Sequence, residues 1–135
     1  MLQAAGPHFC TGGRYDKRPS KPPSWWVKAQ GILGSGFFLN QIRGMSILSI
    51  SVLHGSSIGG GLLLAMMADY RVATASADFR LGVAPYNLSP VLMATEILPY
   101  LVGQNLSIRM YIDDLTVVAQ RAAASGLVAN VISDR

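Results

Sequence analysis

Two glycine-rich turns hold the residues of this chain best suited to chemistry: Phe9-Cys10-Thr11-Gly12-Gly13, and His54-Gly55-Ser56-Ser57-Ile58-Gly59-Gly60-Gly61 ahead of an apolar run. A tight glycine turn exposes a backbone N–H, and two such donors aimed at one oxygen form an oxyanion hole. The helix predicted from about Gly60 adds its positive dipole end at the same point. A phosphate cradle would use the same groups, but neither turn reads G-x-G-x-x-G or ends in Gly-Lys-Ser/Thr, which sets nucleotide binding aside. On spacing alone both turns read equally well as structural.

Other chemistries find little material. The two histidines, His8 and His54, match no zinc spacing and the seven acids do not cluster, so no metal is expected. Cys10 is the only cysteine, so an internal disulfide is impossible and a reducing, cytoplasmic setting is expected, with an organelle left open. MLQAAGPHFC lacks the charged leader and apolar core of a targeting signal. Net charge is +4, concentrated in residues 1–45, where six basic groups face Asp16 alone. The stretch Arg14 to Lys21 could meet phosphate or an acidic protein, but without interleaved aromatics or a recognised motif nucleic acid is not an expected partner.

The elements that must position these turns follow from the apolar pattern. The 135 residues make one domain's worth of chain. Apolar residues are 50% and charged ones 13%, against about 25% charged in a typical domain. Disorder is excluded, and a subunit interface or a larger fold is expected to cover the excess. Ser46 to Ala68 is long and uncharged enough to span a bilayer. Its grammar is instead strand (Ile47 to Leu53), turn (His54 to Ser57), glycines and buried helix, so no membrane association is expected. Trp25 to about Ile42, Val91 to Val102 and Leu106 to Ile112 read as helices. Asp69 to Thr74, Asp78 to Leu81 and Leu127 to Ile132 read as strands, and Pro85 to Pro90 as a loop. Thr116 is placed as the cap of a short helix ending at Gly126. Mixed β and α order makes this an α/β domain.

The stretch HGSSIGGGLLLAMMADYRVATASADFRLG resembles the signature of the crotonase (enoyl-CoA hydratase/isomerase) superfamily, HG-x-x-x-GGG, apolar helix, D-x-R-x-A, then A-x-F. Phe9 to Gly13 is similar to the family's earlier turn, and Leu98 to Gly103 with Gly126-Leu127-Val128 to its later landmarks. The resemblance implies a crotonase-like ββα spiral that forms trimers or dimers of trimers when complete. It casts residues 1–135 as a single partial domain, with N-terminal strands and C-terminal helices missing. It also implies a substrate carried as a thioester of coenzyme A or of an acyl carrier protein, with no further cofactor. Gly13 and Gly60 match the positions whose N–H groups hold the thioester oxygen as it becomes an enolate. Gly12 and Gly59 flank them, and Asp69 and Cys10 match architectural positions.

The departures from the family pattern shape the expected reaction. Hydratases of the family carry two glutamates where this chain has Leu63 and Val83, and neither aliphatic side chain can move a proton. Arg14 stands where many relatives have an aspartate. Decarboxylation needs the hole but no carboxylate, because loss of carbon dioxide itself makes the enolate. The turn, the missing glutamates and the basic stretch resemble the decarboxylating crotonases of polyketide β-branching. Lys17, His54 and Tyr86 are candidates to return the proton. Each also has a plain structural reading: Lys17 solvated, His54 bonding its own turn, Tyr86 packing in its loop. Asn87 and Ser89, with Arg14, Leu63 and Val83, are placed around the substrate. An enoyl-CoA isomerase or hydratase-like enzyme and a catalytically degenerate scaffold are the alternatives.

Overall fold

The computed structural model describes residues 1–13, 41–90 and 93–134. The predicted helix from Trp25 and the candidates Arg14 and Lys17 lie outside the described residues, except that residues 41–43 are helical.

The described chain winds as repeated strand, strand, helix. Strand β1 (Ile50–Leu53) and strand β2 (Ser56–Ile58) lead into helix α1 (Gly60–Met66). Strands β3 (Tyr70–Thr74) and β4 (Asp78–Arg80) follow, then a 3-10 turn at Ala84–Tyr86, helix α2 (Ala94–Val102) and helix α3 (Gln104–Ile112). Strand β5 (Val117–Val118), helix α4 (Ala119–Ser125) and strand β6 (Asn130–Ile132) end it. The first two windings lay their first strands in one sheet, of order β1-β3-β6, and their second strands in another, of order β2-β4-β5; β5 and β6 then join these sheets in the opposite order. The pairings β1 to β3, β3 to β6 and β2 to β4 are parallel, and β5 alone is antiparallel to β4. The first residues extend both sheets, since Leu2 bridges to Ser51 and Cys10 to Ser57. This is the crotonase-like α/β spiral that the resemblance implies.

The core explains why the segments fold this way. Helix α1 is apolar on all sides, the pattern of a buried helix, and Leu62, Leu63, Ala65 and Met66 are buried. Phe79 and Leu53 are fully buried with it, each stabilising by about 1.5–3 kcal/mol relative to exposure. In α2 the buried Ala94, Ile97, Leu98 and Val102 fall on one helical stripe. Tyr100, Ile47, Leu48 and Ile112 stand well exposed. No helix among the described residues is long and apolar enough to cross a membrane. The uncharged stretch from Ser46 to Ala68 is instead divided among β1, β2 and α1.

Several expectations need correction. Residues 56–58 form a strand rather than a turn, because Ser57 sits fully buried between Cys10 and Phe79 in the second sheet. Strand β1 begins at Ile50, leaving Ile47 and Leu48 exposed. Thr116 caps nothing: Val117 and Val118 are drawn into pairing with β4, and Val118 takes the cap position of α4 without a side-chain bond. Gly103 separates α2 from α3 in an extended, positive-φ conformation.

Candidate functional site

The two glycine turns are locked to each other by backbone contact. The Cys10 carbonyl accepts the Ile58 N–H at 3.0 Å, and the Ser56 carbonyl accepts the Cys10 N–H at 3.3 Å. At this approach Gly12, with φ of +77°, has no room for a side chain, since a Cβ would lie 2.6 Å from the Ile58 carbonyl oxygen. A Cβ on Gly61 would run into the Cys10 carbonyl. Gly60 differs from both, because a Cβ there meets nothing within 4 Å. Gly60 is also the first residue of α1, where the early N–H groups have no partner within the helix. The packing thus brings the Gly12-Gly13 turn against the start of α1 and leaves open space above Gly60.

A cavity of about 200 Å³ lies at this junction, lined by Thr11, Gly12, Gly13, Ile58, Gly59, Arg80, Gly82, Val83 and Tyr86. Val83 is on its wall and Tyr86 on its rim, half exposed. Leu63 is buried in the core, not on the wall. Asn87, in the left-handed conformation, and Ser89 lie on the following exposed loop and do not line the cavity.

His54 is engaged away from the cavity. Its Nε2–H donates to the Gly6 carbonyl at 2.8 Å, the only polarity a carbonyl allows. The neighbouring His8 accepts the Ser56 N–H on Nδ1 at 3.1 Å, which leaves Nδ1 unprotonated. Both rings pin residues 6–8 to the strand connection. Asp69 is similarly occupied: its Oδ2 accepts the Ser49 N–H at 2.8 Å and the Ser49 hydroxyl at 2.6 Å. The Ser49 hydroxyl bond, with the amide bond, holds the Asp69 carboxyl below its ordinary 3.8.

One wall of the cavity carries a charge that no motif in the sequence announces. Arg80 ends β4 and lines the cavity, and Asp114, which has φ of +49°, lies behind it against Arg80 and Gly82. Asp114 Oδ2 lies 3.5 Å from Arg80 Nη1, and its Oδ1 accepts the Gly82 N–H at 3.0 Å. An arginine on a short strand with a buried Phe79 on one side and Leu81 on the other is the signal that could have drawn attention to position 80.

A larger cavity of about 400 Å³ opens at the other end of α1, among Arg43, Met66, Asp69, Arg71, Glu96 and Tyr100. Asp69 is held by Ser49, and Arg71 donates to the Ala68 and Leu127 carbonyls at 2.6 Å each. Burial lowers the Arg71 pKa, and the guanidinium stays charged. Asp69 and Arg71 tie elements together, and no glycine among the described residues lines this cavity. The glycine junction is the candidate site.

The family described as enoyl-CoA hydratase/isomerase matches residues 4–135. (E)-benzylidenesuccinyl-CoA hydratase of Thauera aromatica is 29% identical over 133 residues, which cover 98% of this chain and 51% of that protein. DspI of Pseudomonas aeruginosa superposes with a TM-score of 0.89 at 28% identity, covering 97% of this chain and 50% of that one. A putative enoyl-CoA hydratase of Thermobifida fusca YX, solved in complex with CoA, gives a TM-score of 0.87 at 29% identity, over 98% of this chain and 54% of that one. The chain spans about half the length of the relatives it matches. With the family model matching almost the whole of this chain, the chain belongs to the enoyl-CoA hydratase/isomerase family.

Proposed function

We propose that the protein decarboxylates a glutaconyl-type acyl thioester, using the N–H groups of Gly13 and Gly60 to stabilise the enolate. The observation that carries this reading is a contrast at the glycine junction: open space above Gly60 beside the Gly12-Gly13 turn, and aliphatic Val83 on the wall of the adjoining cavity. In the reaction the bond between the carboxylate carbon and its neighbour breaks and carbon dioxide leaves. The electron pair passes through the acyl double bond onto the thioester oxygen. The two N–H donors meet the charge that develops there, which is where such donors lower a barrier most. One proton returns to carbon. Tyr86, on the cavity rim, is the described candidate for that step, and Lys17 lies outside the described residues. A carboxylate at position 83 would repel the substrate's own, and valine does not.

Coenzyme A is the carrier this reading favours, supported by the Thermobifida fusca neighbour that holds CoA. An acyl carrier protein is the other form the thioester could take. The name of the Thauera aromatica relative supports a diacid thioester as well, since a benzylidenesuccinyl group keeps a second carboxylate. That relative is a hydratase, and this favours a second reading, an enoyl-thioester hydratase or isomerase. It would need proton-transfer groups other than Leu63 and Val83.

The test is intact-mass spectrometry of a panel of coenzyme A and carrier-protein thioesters incubated with the protein. The reading predicts loss of one carbon dioxide from a glutaconyl thioester. Gain of one water on an enoyl thioester would overturn it in favour of the hydratase. No mass change on any thioester would also overturn it, leaving an isomerase or a scaffold.

A further inference from the structure

Arg80 is the only charged side chain among the described residues lining the cavity at the glycine turns. Its placement is fixed by the sheet. Arg80 is in register with Ile58, and its carbonyl accepts the Gly59 N–H at 3.0 Å, so the side chain leaves β4 directly beside the turn that ends in Gly60. Parallel neighbours lie only about 4.8 Å apart, which brings the guanidinium within reach of a short acyl chain held by that turn.

The guanidinium is incompletely compensated. Its Nη1 lies 3.5 Å from Asp114 Oδ2, well beyond the roughly 2.7–2.9 Å of a charge-assisted bond. Its Nε is buried and finds no acceptor among the described residues. Asp114 is shared, because its other oxygen holds the Gly82 N–H. About a third of the Arg80 side chain stays exposed, at 37%. Buried donors normally have acceptors, so this shortfall needs an explanation. The partly exposed end of the guanidinium, held by Asp114 only at 3.5 Å, is the part open to an anion in the cavity, and the planar fork of arginine suits a carboxylate.

We propose that Arg80 is a specificity-determining residue that receives a free carboxylate at the far end of the acyl group, with Asp114 steering it. The substrates are then mono-thioesters of short dicarboxylic acids. The proposal rests on the thioester reading above and adds which residue reads the second acid. A phosphate of the carrier offers related chemistry, and the arms of the test separate the two.

The experiment is calorimetric titration of the protein with glutaryl-CoA, butyryl-CoA and free coenzyme A, which needs no turnover and so stands apart from decarboxylation. The expected result is tighter binding of glutaryl-CoA than of butyryl-CoA by wild type. Arg80→Gln should weaken glutaryl-CoA by about 10- to 100-fold and leave the other two unchanged. Arg80→Lys should fall between. Equal weakening of all three ligands would assign Arg80 to a phosphate and overturn the proposal, as would no weakening of any. Equal wild-type affinity for the two acyl thioesters would overturn it whether or not the variants fold. Binding of none of the three would overturn the thioester reading itself, and this proposal with it.

Discussion

The two walls of the cavity have been treated differently by the sequence. On the side of the glycine junction, Gly12 and Gly61 are forced by backbone contacts that no side chain could enter, and Gly60 stands in open space. On the other, Val83 and Arg80 occupy the wall, braced by Asp114, and Leu63 has withdrawn into the core. In the proposed reaction the first side meets charge developing on a thioester oxygen, a task for backbone geometry alone. In that reaction the second sets which proton or which group is handled, a task for side chains. A fold can therefore keep enolate stabilisation while exchanging the chemistry that feeds it.

The sharpest way to break the comparison is to fill the open space. Gly60→Val keeps its N–H but puts a side chain where the thioester oxygen would sit, and should lower turnover by about 10²- to 10³-fold, as much as losing one oxyanion donor; steady-state kinetics would read it. Melting temperature should barely move, since nothing lies within 4 Å of the new Cβ. Gly61→Ala, one residue on, should do the reverse. Its Cβ meets the Cys10 carbonyl, and urea unfolding should show a loss of about 2–3 kcal/mol, in the range of overpacked interiors.

Smaller effects sharpen the same picture. Ser57 is fully buried and its hydroxyl has no hydrogen-bond partner among the described residues, directly behind the glycine wall. Ser57→Ala should be neutral or stabilising by up to about 1 kcal/mol in the same urea assay, because it removes an unpaired polar group. The smallest effect is at exposed Asp69. Ser49 holds its folded pKa below 3.8, so the stability it adds is present above that value and is lost as pH falls through the folded value. In acid titrations followed by circular dichroism, wild type should lose stability more steeply below about pH 3.8 than Asp69→Asn.

Much of the first wall was legible in the sequence, because glycine spacing and an apolar helix are local signals. Strands β3 and β4, helix α2 and the helix ending at Gly126 were readable for the same reason. The second wall was not. Arg80 and Asp114 meet across 34 positions of chain through a left-handed residue that no periodicity announces. Ser56 to Ile58 carried turn-forming residues and became a strand because Cys10 and Phe79 close over Ser57 from both sides. Thr116 had the chemistry of a cap, but pairing of Val117 with Phe79 claimed the segment first.

The most direct test of the central claim is a single-turnover reaction of the protein with glutaconyl-CoA in deuterated water, followed by mass spectrometry of the acyl product. Enolate stabilisation without a glutamate predicts a product that has lost carbon dioxide and gained one deuterium on carbon, absent with Gly60→Val. A product that retains its carboxylate and has gained one water would contradict it.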